Sequence, residues 1–342
     1  MSTQSVTVPP PTVHDQGLEQ AVLSVQNLKK YFPIKTGVLS RVTGHVKAVD
    51  DVTFEILPGE TFGLVGESGC GKSTTGRTIL RLGTATGGSV HYNGEDVYAA
   101  SFQRLRLLRK EMQIVFQDPY SALNPRMTVG AAIREILRVH GLATGAEARD
   151  RAEDVLIRCG LEGYHADRYP HEFSGGQRQR VVIARALALD PKFIVADEPI
   201  SALDVSIQSQ IINLLEDLQD SFALTYLFIS HDLSVVRHVA DRVGVMYLGK
   251  LVEVGEKNEF YREPLHPYSQ SLLSAIPVSD PTIKKKRIIL KGDVPSPANP
   301  PAGCPFHTRC PHVMDVCRTV TPALKPTESG RRVACHLVHP QD

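Results

Sequence analysis

Apolar positions change their spacing along the chain. The segments at 22–25, 48–56 and 61–65 are short, rich in β-branched residues and bounded by glycine, proline or aspartate, which predicts strands. From about 128 to 169 the apolar residues recur with the period of a helix, and glycines interrupt the pattern. The pattern predicts a strand-rich first part followed by a helical insert.

Helices and buried strands alternate after that insert. Helical periodicity at 176–189 and 206–220 alternates with fully apolar segments at 193–196 and 226–229. This order is typical of a largely parallel sheet covered by helices on both faces. The composition changes again after about Glu256, where we place a domain boundary.

Composition narrows the classes of protein that fit. The 342 residues include 38 basic and 37 acidic side chains, so the overall charge does not favour nucleic acid as a partner. No apolar run reaches the roughly 18 to 20 residues that cross a bilayer, so any membrane-spanning part is expected on another chain. Six cysteines without an export signal favour a reducing cytoplasm. Residues 1–20 are predicted to be a disordered tail.

A glycine-rich segment lies between the strand predicted at 61–65 and a helix predicted at 74–82. This order of strand, loop and helix, with this spacing, predicts a phosphate-binding loop rather than a chance glycine turn. Backbone N–H groups would surround the phosphates, the lysine would reach the β- and γ-phosphates, and the serine hydroxyl would bind Mg²⁺. The loop consists of Gly66, Glu67, Ser68, Gly69, Cys70, Gly71, Lys72, Ser73 and Thr74.

Cys70 has two interpretations within this loop. Its position requires a small side chain, which favours a structural role. The N-terminus of a helix also lowers the pKa of a thiol, which predicts some reactivity.

Two carboxylates follow the apolar segment at 193–196. Alternation along a strand gives Asp197 and Glu198 different directions at the edge where parallel sheets bind ligands. Asp197 is the predicted Mg²⁺ ligand and Glu198 the base that activates water. The alternative is that the two acids only lead from the strand into a turn, and the phosphate-binding loop upstream makes this alternative the weaker one.

A second anion-binding geometry begins the helix predicted after the insert. Ser174, Gly175, Gly176 and Gln177 place two glycines at an exposed helix N-terminus. Because the helical insert separates this motif from the phosphate loop, we expect it to serve a nucleotide on another subunit. An ordinary N-cap is the alternative.

With these motifs in order over 22–255, the chain resembles the ATP-binding subunits of ABC transporters. The resemblance implies that Gln117 contacts Mg²⁺, senses the γ-phosphate and signals to membrane subunits. It implies that Asp204 lies at a dimer seam and that His231 contacts the γ-phosphate.

The resemblance also implies an aromatic ring stacked on adenine. It favours Phe32, with the adjacent Tyr31 as the alternative. Either ring could instead belong to the core.

Segments at 44–49, 118–125 and 266–268 resemble the oligopeptide/dipeptide importer branch. That branch implies a second ATPase subunit, two transmembrane permease subunits and an extracytoplasmic substrate-binding protein. It implies attachment at the cytoplasmic face of the inner membrane, short peptides as cargo, and no nucleic acid. Nickel or another small solute, and a soluble ATPase unconnected with transport, remain alternatives.

Four cysteines lie near the C-terminus, at Cys304, Cys310, Cys317 and Cys335. Their spacing is neither that of zinc ribbons nor that of ferredoxins, and says only that four thiolates could meet around one metal. Structural zinc, free thiols and disulfides remain open on spacing alone. The importer branch implies a [4Fe–4S] cluster.

The predicted fold is therefore α/β, of the P-loop NTPase class, with an antiparallel β subdomain. The ATPase domain spans 21–255 and contains a helical subdomain at about 126–175. A cysteine-containing C-terminal extension spans 256–342. ATP and Mg²⁺ are the expected cofactors, with the iron–sulfur cluster.

Overall fold

The computed structural model describes residues 21–37, 40–277 and 287–340. The tail predicted at 1–20 lies outside the described residues, so its predicted disorder stays a prediction. Within these ranges the strands form two sheets, and one of them carries the phosphate loop.

The described strands fall into a first sheet of order β2-β1-β4-β5 and a second of order β11-β12-β10-β9-β3-β8-β7-β6. They are β1 (Leu23–Thr36), β2 (Arg41–Ile56), β3 (Thr61–Val65), β4 (Gly87–Tyr92), β5 (Glu95–Asp96), β6 (Met112–Val115), β7 (Phe193–Asp197), β8 (Thr225–Ser230), β9 (Arg242–Tyr247), β10 (Lys250–Glu256), β11 (Lys325–Pro326) and β12 (Arg332–Val333).

The first sheet is antiparallel. β1 pairs with β2 on one side and with β4 on the other, and both pairings are interrupted by irregular register. The segment predicted at 48–56 lies within β2, and that at 22–25 overlaps the start of β1, which begins at Leu23. Phe54 of β2 stacks on Phe62 of β3 with their ring centroids 4.8 Å apart, which joins the two sheets in one core.

The centre of the second sheet is parallel. β3 lies between β8 and β9, and β7 lies between β6 and β8, all in the parallel sense. Side chains of β3, β7 and β8 are buried throughout, which explains why their sequences are continuously apolar rather than alternating. The carboxyl ends of β3, β7 and β8 therefore meet at one edge.

Helices surround this sheet and build the insert. The described helices are α1 (Lys72–Ile79), α2 (Phe102–Glu111), α3 (Pro119–Ala122), α4 (Val129–Val139), α5 (Gly145–Arg158), α6 (Gly175–Leu187), α7 (Val205–Phe222), α8 (Leu233–Val239), α9 (Lys257–Arg262), α10 (Pro267–Ser274) and α11 (Val316–Thr319), with 3₁₀ turns at Gly163–Asp167 and Pro170–Glu172.

The insert folds as its periodicity predicts. The Thr128 hydroxyl caps α4 by accepting the N–H of Ala131 at 3.3 Å. Val129, Ile133 and Leu137 recur at helical spacing and are fully buried against the rest of the insert. This helix of the insert therefore has an apolar face, whereas the predicted bounds of the helical subdomain stay a prediction.

The C-terminal extension continues the second sheet. β12 pairs antiparallel with β10, with Glu253 opposite Val333, and β11 pairs with β12. Tyr247 of β9, Tyr268 of α10 and Phe306 pack with ring centroids 4.7 to 5.3 Å apart. The extension thus shares a core with the sheet that carries the phosphate loop.

Candidate active site

The phosphate loop connects β3 to α1, where the sequence places it. The Lys72 side chain is 4% exposed, and its Nζ donates to the carbonyls of Gly66 at 2.8 Å and Glu67 at 3.1 Å. The loop therefore wraps around its own lysine and directs that cation inward. A lysine side chain and the N-terminus of a helix that come together in one loop are an anion-binding arrangement.

Two glycines are required by close approach of other backbone. A Cβ on Gly66 would lie 2.2 Å from the carbonyl oxygen of Met246, and one on Gly71 would lie 2.0 Å from that of Ala48. Both glycines have positive φ, at 153° and 112°. Any side chain there would displace the loop from the sheet edge.

Ser73 and Asp197 meet directly. The Ser73 hydroxyl donates to Asp197 Oδ1 at 2.6 Å, and Arg77 Nη2 lies 3.4 Å from Asp197 Oδ2. Asp197 is fully buried, and this burial raises the pKa of its carboxyl group in spite of the two partners. A hydroxyl and a carboxylate side by side supply the oxygen ligands that Mg²⁺ prefers. The sequence did not single out Arg77.

Glu198 contacts two other side chains that the sequence predicts for this site. Its Oε2 accepts from Gln117 Nε2 at 2.8 Å, and its Oε1 lies 3.3 Å from His231 Nδ1. The backbone of Glu198 is left-handed, with φ 49°, and its N–H donates to Ile229 at 3.0 Å. A non-glycine residue in this region is uncommon, and such residues cluster at functional sites.

The two candidate aromatic residues differ in their surroundings. The Tyr31 hydroxyl donates to Asp50, and burial together with this carboxylate raises the pKa of Tyr31. The Phe32 ring is 44% exposed, with Lys30 Nζ 4.9 Å from its centroid. Phe32 is thus the more exposed of the two side chains, and its predicted contact with adenine stays a prediction.

The second glycine motif forms a capping box at the start of α6. Ser174 Oγ accepts the N–H of Gln177 at 3.3 Å, and Gln177 Oε1 accepts the N–H of Ser174 at 3.0 Å. Ser174 is exposed, while Gly176 is buried so closely that a Cβ would lie 2.5 Å from Ile207. Ile207 belongs to α7, which begins after the exposed Asp204. The motif and Asp204 thus lie on neighbouring elements.

The structure favours the structural interpretation of Cys70 over the reactive one. Burial raises the pKa of its thiol and outweighs the opposing effect of Lys72. Cys70 is a small buried side chain, which is the structural interpretation of its position.

The four C-terminal cysteines are free thiols. Burial, together with smaller contributions from the thiols of Cys317, Cys335 and Cys310, raises the pKa of Cys304 to about 12. The part of the chain that the structure describes contains no group of three or more His, Cys, Asp or Glu side chains arranged to hold a metal. This geometry therefore gives no support to the predicted [4Fe–4S] cluster.

A membrane-spanning element is also absent from residues 21–37, 40–277 and 287–340, where no helix is both long and apolar enough to cross a bilayer.

Two family patterns match this chain. That of the ABC transporter covers residues 49–201, and that of the oligopeptide/dipeptide transporter C-terminal region covers 252–317. The "Oligopeptide transport ATP-binding protein AppF" of Bacillus subtilis is 55% identical over 322 residues, covering 93% of this chain and 98% of that protein. The "Putative oligopeptide transport ATP-binding protein YkfD" of the same species is 57% identical over 295 residues, covering 85% of this chain and 90% of that protein.

Solved structures agree with these relatives. The dimeric structure of a post-hydrolysis state of the ATP-binding cassette MJ0796, bound to ADP and Pi, is 31% identical, with a TM-score of 0.61. The match covers 69% of this chain and 98% of that cassette. The fold and the loop define a P-loop ATPase of the ATP-binding cassette class. The chain belongs to the ABC transporter family, in the branch that carries the oligopeptide/dipeptide C-terminal region.

Proposed function

We propose that this chain hydrolyses ATP to drive import of short peptides through separate transmembrane permease subunits. The observation that carries the proposal is the contact of Glu198 with both Gln117 and His231, at the sheet edge that also holds the phosphate loop. This juxtaposition suits hydrolysis as well as binding. The C-terminal region and the names of the relatives support peptides as the cargo.

The phosphate loop binds the triphosphate in this proposal. Backbone N–H groups of Gly66–Thr74 and the Nζ of Lys72 neutralise the β- and γ-phosphates. Ser73, Asp197 and Gln117 would hold Mg²⁺, which neutralises charge on the phosphate oxygens when bound. The neighbouring oxygens of Ser73 and Asp197 support this assignment.

Glu198 is the proposed general base. Its carboxylate orients and deprotonates the attacking water, and Gln117 holds that carboxylate through its amide. His231, which lies beside the same carboxylate, would contact the γ-phosphate. Because Gln117 is exposed beside the helical insert, it can also transmit the state of the γ-phosphate to a membrane partner.

A second ATPase subunit completes the site. Ser174, Gly175, Gly176 and Gln177 present an exposed helix start, and Asp204 lies beside it on α7. Such a helix start binds phosphate when a nucleotide is brought to it. A dimer in which each motif faces the partner's loop is therefore proposed, with Phe32 stacking on adenine.

The remaining partners follow from the proposed transport. Two permease subunits would span the membrane, an extracytoplasmic binding protein would deliver the peptide, and this chain would bind at the cytoplasmic face. Reconstitution of the co-purified complex in liposomes tests this arrangement. We expect ATP-dependent uptake of labelled di- or oligopeptides and none in a Glu198→Gln complex. Uptake of Ni²⁺ without peptide would overturn the cargo, and failure to co-purify with membrane proteins would overturn transport.

The iron–sulfur cluster is kept as a separate, finer proposal. The nearness of Cys304 to three other thiols supports it, whereas their arrangement in the described residues does not. Anaerobic purification with visible absorption spectra and analysis of iron, sulfide and zinc decides between the alternatives. About four irons per chain is the expected result. One zinc per chain without iron, or no metal, would overturn it.

A further inference from the structure

A residue of the phosphate loop is paired with the C-terminal extension. Arg309 Nη1 lies 2.9 Å from Glu67 Oε2, and Nη2 lies 3.2 Å from Oε1, so the guanidinium holds both carboxylate oxygens. The Arg309 side chain is 9% exposed and that of Glu67 29%. A bidentate pair of this kind is strong and geometrically specific.

The extension holds Glu67 at a second atom. The backbone N–H of Glu67 donates to the Tyr268 hydroxyl at 2.9 Å. The carbonyl of the same residue accepts from Lys72 Nζ at 3.1 Å. Glu67 therefore connects the extension to the lysine of the phosphate loop through three of its polar groups.

The groups that hold Glu67 are themselves fixed. Buried Glu253 accepts the N–H of His266 at 2.9 Å, and His266 Nδ1 accepts the N–H of Tyr268 at 3.0 Å, which sets the start of α10. The ring of Phe306 packs against Tyr268 three residues before Arg309. Both contacts to Glu67 thus come from one packed unit.

The charge of Glu67 needs such a partner. A carboxylate in a loop that binds a triphosphate repels the ligand, because like charges at short range are unfavourable where water is partly excluded. Burial alone would lower the pKa of Arg309, but the Glu67 carboxylate and the Tyr247 side chain together outweigh burial, and the pKa is raised. Arg309 remains a cation and cancels the negative charge.

We infer that Arg309 is a positioning residue for ATP that acts through Glu67. It neutralises this carboxylate and holds it in its bidentate contact, so the extension is part of the nucleotide-binding machinery. The inference rests on the proposed role of the loop as the ATP site. It adds a residue 242 positions away from the carboxylate that it contacts.

The test compares Arg309→Met, Glu67→Gln and the double variant in the full-length chain. We expect Arg309→Met to weaken Mg-ATP binding about tenfold, since it leaves an uncompensated carboxylate, with kcat changed less than about twofold. Glu67→Gln breaks the same bridge but removes the repelling charge, so its affinity should not fall. The double variant should recover to within about threefold of wild type. A merely structural bridge would weaken binding in both single variants and would not be rescued.

Arg331→Met is the matched control. Arg331 belongs to the same extension, has a side chain 8% exposed and pairs with Glu259, outside the loop. We expect its affinity for Mg-ATP to stay within about twofold of wild type, even where its melting temperature falls. An equal loss of affinity in Arg331→Met and Arg309→Met would overturn the inference.

Two further outcomes separate this inference from the proposed function. Should Arg309→Met not fold, weaker binding by Glu67→Gln alone would overturn the inference, and unchanged or tighter binding would support it. Lys72→Ala serves as the binding-dead reference. If wild type itself binds no better than Lys72→Ala, the ATP site fails as a whole. If wild type binds and Arg309→Met matches it, only the inference fails.

Discussion

Two helix N-termini of this chain offer the same geometry for an anion, and they are completed in different ways. At the start of α1, Lys72 is enclosed by its loop, and Ser73 bonds to Asp197 on a neighbouring strand. At the start of α6, Ser174 and Gln177 bond to each other, and Ser174 faces outward. The site at the start of α1 is therefore completed by a residue from the sheet edge of the same chain. The start of α6 is already capped by its own side chains and is exposed to solvent, which suits a ligand carried by another molecule.

The strongest test of the first end removes its cation. We expect Lys72→Ala to reduce ATP hydrolysis by about a thousandfold or more, because the β- and γ-phosphates lose their fixed positive charge. Steady-state phosphate release and binding of a fluorescent ATP analogue measure the two effects. Lys192→Ala, at an exposed lysine just before β7, is the control and should behave as wild type. Substantial turnover by Lys72→Ala would contradict the assignment of this loop.

The next test separates binding from chemistry at the sheet edge. Glu198→Gln keeps the shape of the side chain and removes the base, so we expect kcat to fall about 10² to 10⁴-fold while ATP binding is retained. With ATP bound and hydrolysis blocked, a closed dimer should accumulate and be seen by size-exclusion chromatography with light scattering. Glu216→Gln, a partly exposed carboxylate paired with His238, is the matched control. Near-normal turnover in Glu198→Gln would remove Glu198 from catalysis.

Mixing two inactive variants tests whether the second end works across an interface. Ser174→Arg fills the open face of α6, and Lys72→Ala disables the loop. If the Ser174 motif serves a partner's loop, a mixed dimer places both defects in one site and leaves the other intact. We expect an equimolar mixture to regain on the order of a quarter of wild-type activity, since about half of the dimers are mixed. No recovery in mixtures that do form mixed dimers would place Ser174 in its own chain's site.

The smallest expected effect concerns the base of the nucleotide. Phe32→Ala removes an exposed ring, and we expect the KM for ATP to rise about fivefold, which corresponds to roughly 1 kcal/mol of stacking. Tyr31→Ala removes the alternative ring together with its bond to Asp50, and its KM should stay near that of wild type. The reverse result would exchange the two residues as the contact with adenine.

Local chemistry accounts for what the sequence could predict. The strand predicted at 61–65 coincides with β3, and the apolar segment at 193–196 lies in β7 with Asp197 as its last residue. Continuous apolar composition and glycine spacing are local signals, so they locate the loop and the two carboxylates. They also predict that both lie at one edge, because the carboxyl ends of parallel strands meet there.

Contacts between distant segments could not be predicted in this way. Arg77 lies 120 residues from Asp197, and Arg309 lies 242 residues from Glu67. No pattern of period two or 3.6 pairs such positions, because tertiary packing alone brings them together. The left-handed backbone of Glu198 could not be predicted from the sequence either, since a glutamate rarely adopts this conformation.

The pairing of β12 with β10 has a consequence for where this chain can be shortened. Arg332–Val333 hydrogen-bond along β10, and the N–H of Ala334 donates to Val252 at 2.9 Å. In a chain cut after Glu256, β10 would become an edge strand, with the hydrogen-bonding groups on the side away from β9 uncovered and with its apolar side chains beside them. Uncovered edge strands of this kind pair with one another between molecules. Residues 332–334 thus cover a strand that would otherwise pair between molecules, and truncation before them should cause aggregation before any loss of ATP binding.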